Sequence, residues 1–66
     1  MIGYYYLRDL LGDTNEVKSA VNDRGENVLT YKANDNCYCV ETTQDNGRVR
    51  KNFYWKDGTT EEVYDG

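Results

Sequence analysis

A chain of 66 residues with a formal net charge of −4, two cysteines and no histidine excludes a disulfide framework, and a four-ligand metal site within one chain would be strained. The mild acidity disfavours general binding to nucleic acid or to an anionic membrane and favours a basic partner, although modest charge also serves simply to keep small domains soluble.

One small domain, residues 1–66, is expected at this length. Such a domain buries only about 60% of the surface of its unfolded chain. Seven Tyr, one Trp and one Phe are the main core-builders, because each ring brings a large apolar area. Several rings must remain exposed, and self-association is one way to cover them. Met1-Ile2-Gly3 leads straight into tyrosines, with no basic segment and no apolar signal core. No run approaches the ~18 apolar residues of a membrane span. The expectation is a complete cytoplasmic protein with no membrane partner.

In chain order, residues 2–8 carry the aromatic content of a strand. A helix competes, because Tyr4, Leu7, Leu10 and Leu11 fall on one stripe and Gly12 could cap it. Three consecutive tyrosines favour the strand, with Leu10-Leu11-Gly12-Asp13 as a turn. In residues 13–25, Asp13 and Glu16 have capping-box spacing, and Val17, Ala20 and Val21 follow at helical intervals. The rival is a strand over 16–22 that turns at Asp23-Arg24-Gly25 into a strand over 27–32. It pairs Val17 with Tyr31, Ser19 with Leu29 and Val21 with Asn27. Weak helix propensity in 18–23 favours the hairpin. Residues 33–36, Ala-Asn-Asp-Asn, form a turn cluster.

Cys37–Thr43 and Arg48–Trp55 read as a central hairpin around Asn46-Gly47, a strong type I′ signal. A two-residue loop sets Val40 opposite Phe53 and Tyr38 opposite Trp55 on one apolar face. Cys39, Glu41, Arg50, Asn52 and Tyr54 then lie on the other. A three-residue loop would exchange the faces and set the cysteines opposite Trp55 and Phe53. Finally, Lys56-Asp57-Gly58 reads as a three-residue loop that pairs Phe53 with Glu61 and Lys51 with Val63, leaving an acidic edge strand.

The fold expected is mainly β: an antiparallel meander of four to five strands, strongly curved or barrel-like. The alternative is an α+β fold with a short helix near 14–22 packed on the sheet.

Four groups of residues could carry function. Cys37 and Cys39 share a face, but without further soft donors they read as small packed residues. Arg48, Arg50 and Lys51 with Phe53, Tyr54 and Trp55 resemble a single-strand nucleic-acid platform; the acids of 57–66 lie beside them, and cross-strand pairing explains both sets. The spread carboxylates could occupy a basic groove on a partner in place of phosphates. Exposed tyrosines supply interface anchors. Nothing suggests catalysis, since there is no histidine base, phosphate loop or paired nucleophile, and no cofactor is expected.

The leading expectation is therefore a small acidic protein-binding module: a regulator or inhibitor of phage or mobile-element type, acting on a larger nucleic-acid-handling machine. Its partner would be another protein with a basic surface, contacted through Tyr5, Glu41, Arg50, Tyr54, Glu61, Glu62, Tyr64 and Asp65. Single-strand nucleic-acid binding through residues 48–55 and a homodimer or larger homo-oligomer are the alternatives.

Overall fold

Five antiparallel strands follow one another across a single sheet in the order of the chain. In the computed structural model, which describes residues 2–12 and 15–65, they are β1 (Lys18–Val21), β2 (Asn27–Asn34), β3 (Cys37–Thr43), β4 (Val49–Trp55) and β5 (Thr60–Asp65), preceded by one helix, α1 (Tyr4–Leu11). The meander is as expected. The barrel is not: β1 and β5 are the two ends of an open sheet. No helix among the described residues is long and apolar enough to cross a membrane.

The expected N-terminal strand is a helix, and the turn expected at residues 10–13 is replaced by its last residues and its cap. Packing overrides the weak helix propensity of tyrosine. Leu7 is only 2% exposed, and the Tyr4 ring lies 5.1 Å from that of Tyr38. The Tyr4 hydroxyl donates to the Asp35 carbonyl at 3.2 Å. At the C-terminal end Gly12 takes φ 68 and its N–H bonds to the Arg8 carbonyl, the conformation that a glycine cap tolerates best. The helix near 14–22 is absent from the described residues, where β1 stands instead. The capping-box residue Asp13 and its neighbour Thr14 lie outside the described residues.

The first and last hairpins have the registers read from sequence. Ser19 pairs with Leu29 and Val21 with Asn27, although β1 is shorter than the expected 16–22 and the ladder ends at Lys18 and Thr30, before the expected pair of Val17 with Tyr31. Phe53 pairs with Glu61 and Lys51 with Val63. The central hairpin does not follow its expected register. Its loop holds three residues, Asp45, Asn46 and Gly47, closed by the Gln44 N–H on the Arg48 carbonyl. Cys37 therefore faces Trp55, and Cys39 faces Phe53. Gly47 at φ 83 takes the left-handed position that ends such a loop.

Side-chain acceptors reinforce the turns. Asn22 Oδ1 accepts the N–H of Arg24 and of Glu26. Asn34 and Asn46 each accept the N–H two residues on, as does Asp57 from Thr59. Such local bonds hold a turn independently of the strands it joins.

The central strand is buried on both faces. Cys37, Tyr38 and Cys39 are consecutive, and none is more than 1% exposed. Because successive side chains point to opposite faces, two covers are needed. The helix covers Tyr38. The cysteines lie under the opposite face, beside Tyr31, Phe53 and Trp55.

Candidate functional site

Strand pairing sorts the side chains into two surfaces. On the helix side, alternation places Lys18, Thr30, Lys32, Tyr38, Thr42, Arg50, Tyr54, Glu62 and Tyr64. On the open side, one row crosses the sheet as Tyr31, Cys39, Phe53 and Glu61, each paired with the next. A second open-side row runs Leu29, Glu41, Lys51 and Val63, and Asp65 sits beyond it, opposite Val49.

The two faces differ in charge. The open side carries Glu41, Glu61 and Asp65 against a single Lys51. The helix side of the sheet carries Lys18, Lys32 and Arg50 against a single Glu62. Across one strand layer the protein is thus acidic on one surface and basic on the other.

The expected candidate residues are divided by this arrangement. Glu41, Glu61 and Asp65 meet on the open face. Arg50, Tyr54, Glu62 and Tyr64 share the helix side, with Arg50 directly opposite Tyr64 and Tyr54 opposite Thr60. Tyr5, on α1, joins Tyr54, Trp55 and Lys56 in the wall of a cleft of about 360 Å³ between the start of the helix and the β4–β5 turn. Tyr5 and Tyr64 are exposed, and each carries a cation on its ring. Arg8 lies 4.8 Å from the Tyr5 centroid and Arg48 lies 4.2 Å from that of Tyr64. Arg50 is half-buried, and its Nε is enclosed with no hydrogen-bond partner among the described residues.

The basic run at the start of β4 is divided between the two sides. Arg48, over the Tyr64 ring, and Arg50, opposite Tyr64, share the helix side, and Lys51 faces the open side. The acids of β5 are not directly opposite the bases of β4: Lys51 faces Val63, and Glu62 faces Asn52.

The open face also contains residues that the expected site leaves out. Tyr31, Lys51 and Phe53 belong with the three carboxylates. The three-residue loop is the signal that would have found them, because it alone moves Phe53 to this side. Burial pushes the Tyr31 hydroxyl well above its ordinary range, and hydrogen bonds to Cys39 and Glu41 act in the same direction. Burial likewise raises both thiols, with Tyr31 partly opposing the shift at Cys39. Protonated, enclosed thiols are poor nucleophiles and poor metal ligands. No group of three or more His, Cys, Asp or Glu among the described residues is placed to hold a metal ion.

No protein-family model, curated protein or solved structure matches this chain.

Proposed function

We propose that this chain is a protein-binding module that docks the open face of its sheet on a basic surface of a larger partner and acts as a regulator or inhibitor by occupying that surface. The observation behind this reading is the composition of the face: carboxylates of Glu41, Glu61 and Asp65 set among Tyr31, Phe53, Leu29 and Val63. Rings and aliphatic groups supply contact area, and the carboxylates steer and orient a cationic partner.

Single-strand nucleic-acid binding is the second reading. Phe53 and Tyr31 are half-buried on the open side rather than beneath the helix, so rings for stacking are available there. Against it, Lys51 is the one cation among three carboxylates on that face, and phosphates would meet net repulsion.

Amide chemical-shift mapping separates the two, with a capped arginine-rich peptide and a labelled oligothymidylate as probes. The peptide should perturb Tyr31, Glu41, Phe53 and Glu61, and should bind more weakly as salt rises. Oligothymidylate binding at tens of micromolar on the same residues, with no response to the peptide, overturns the first reading in favour of the second.

A further inference from the structure

The last strand of the sheet ends in unused backbone. In the β4–β5 hairpin the Trp55 N–H bonds to the Thr59 carbonyl at 2.9 Å, so Trp55 and Thr59 form a hydrogen-bonded pair. Antiparallel pairs alternate between bonded and non-bonded. Phe53–Glu61, Lys51–Val63 and Val49–Asp65 are therefore bonded pairs, and Glu61, Val63 and Asp65 turn their N–H and C=O groups toward β4. Thr60, Glu62 and Tyr64 turn theirs outward, away from the sheet. Among the described residues β5 has no strand beyond it, and all six of its residues are exposed.

The side chains along this edge have one sign. Glu61 and Asp65 flank Val63 on the open face, Glu62 stands on the helix side, and β5 contains no base. Across β4 these three carboxylates face Phe53, Asn52 and Val49, none of them a cation, and Arg48 lies over the Tyr64 ring. The other edge is blunter: β1 has four residues and includes Lys18. Short or charged edges guard against self-pairing. Two copies of β5 set side by side would bring carboxylates against carboxylates, which disfavours a second copy as the occupant. The same charges favour an extended segment that is basic.

We infer that β5 is the attachment edge for an extended, basic segment of a partner protein, which adds to the sheet as a sixth strand through the outward N–H and C=O groups of Thr60, Glu62 and Tyr64. Backbone bonding supplies the attachment. Cationic side chains beside Glu61, Glu62 and Asp65, with an apolar one beside Val63, set the choice of segment. This inference rests on the proposed binding of a basic partner and specifies how that partner is held.

The probe is a capped octapeptide with lysines at the positions that face Glu61, Glu62 and Asp65 and valine at the position that faces Val63, and its control carries glutamate in place of each lysine. On binding the lysine peptide, amide hydrogen exchange should slow at Thr60, Glu62 and Tyr64 and stay as it was at Glu61, Val63 and Asp65. Glu62→Pro removes an outward N–H that β4 does not use, so the ladder to β4 survives. It should weaken the peptide by about tenfold or more, whereas Glu62→Gln should cost only a few-fold. Peptide binding with unchanged exchange at residues 60, 62 and 64 overturns strand addition and leaves the open-face reading standing. The exchange measurement needs no substitution and decides the matter even if Glu62→Pro fails to fold. No binding of the lysine peptide at millimolar concentration and low salt overturns both. A β5-paired homodimer of the free protein, seen by light scattering, overturns the basic partner as the occupant of this edge.

Discussion

Cys39 stands directly opposite Phe53 across β3 and β4, and its side chain is fully buried. With Tyr31 on the other side of Cys39, a small thiol is enclosed between two rings on the face away from the helix. That enclosure keeps the thiol protonated. Both cysteines have their pKa raised by burial, while in the unfolded chain they ionise near the ordinary 9.0.

Stability should therefore fall in alkali. Below about pH 8 the thiols are protonated in both states and the fold keeps their full contribution. As pH rises through 9 the unfolded chain releases protons that the folded chain retains, so stability declines until the folded thiols ionise too. Tyr31, raised by burial from 10.0, extends the decline upward. Urea midpoints between pH 7 and pH 10.5 should drop, and a Cys37→Ser/Cys39→Ser variant should show a flatter profile through the thiol range. A midpoint independent of pH across that window would contradict the enclosure of the thiols.

Gly47→Ala should cost about 1 kcal/mol or somewhat more, because an L-residue at positive φ is strained. A Cβ there would meet nothing within 4 Å, so the cost is one of backbone conformation alone. Asn46→Ala removes the side-chain acceptor of the Arg48 N–H and should cost about 0.5–1.5 kcal/mol. Chemical denaturation of each variant measures both, and an unaffected Gly47→Ala protein would contradict the three-residue loop.

Leu7→Ala tests the docking of the helix. Truncating this buried side chain should cost about 2–4 kcal/mol, a large share of the stability of a domain this small. Tyr6→Ala, on the exposed side of the same helix, should cost about 0.5 kcal/mol. Equal effects at the two positions, read from thermal unfolding, would argue against the packing of α1 on Tyr38.

A double-mutant cycle with Arg48→Ala and Tyr64→Ala should return a coupling of about 0.5–1 kcal/mol, the usual worth of an exposed cation–ring contact. Zero coupling in denaturation midpoints would mean that the Arg48 guanidinium is not held over the ring in solution.

The registers of the outer hairpins could be read from sequence because each has a single strong turn signal, Asp23-Arg24-Gly25 and Lys56-Asp57-Gly58. The central loop carries two signals that overlap. Asp45-Asn46-Gly47 fits the same three-residue pattern as its neighbours, but the Asn46-Gly47 pair also suggests a two-residue turn, and one residue of difference exchanges the faces. Grouping Tyr38 and Val40 with Phe53 and Trp55 fails for a physical reason. A central strand covered on both sides has no single apolar face, and its small buried thiols carry no obvious inward signal. The helix was visible as the stripe of Tyr4, Leu7, Leu10 and Leu11, of which Leu10 is exposed, yet only its contact with Tyr38 decides against a strand. For the candidate site, the acidic residues were legible as charges, but their grouping with Tyr31 and Phe53 depends on a register that local turn chemistry does not settle.

The unbroken sequence of pairings across the sheet has a kinetic meaning. Each strand bonds to the strand next to it in the chain, so no long loop must close before a contact forms, and hairpins can add to one another like teeth of a zipper. Run backwards, the same order lets β1 or β5 peel away while β3, enclosed on both sides, still holds. Hydrogen exchange should then form a gradient, slowest at Tyr38 and Cys39 and fastest toward Lys18 and Tyr64. A strand that opens readily at its own edge is also one that can exchange partners without unfolding the rest of the molecule.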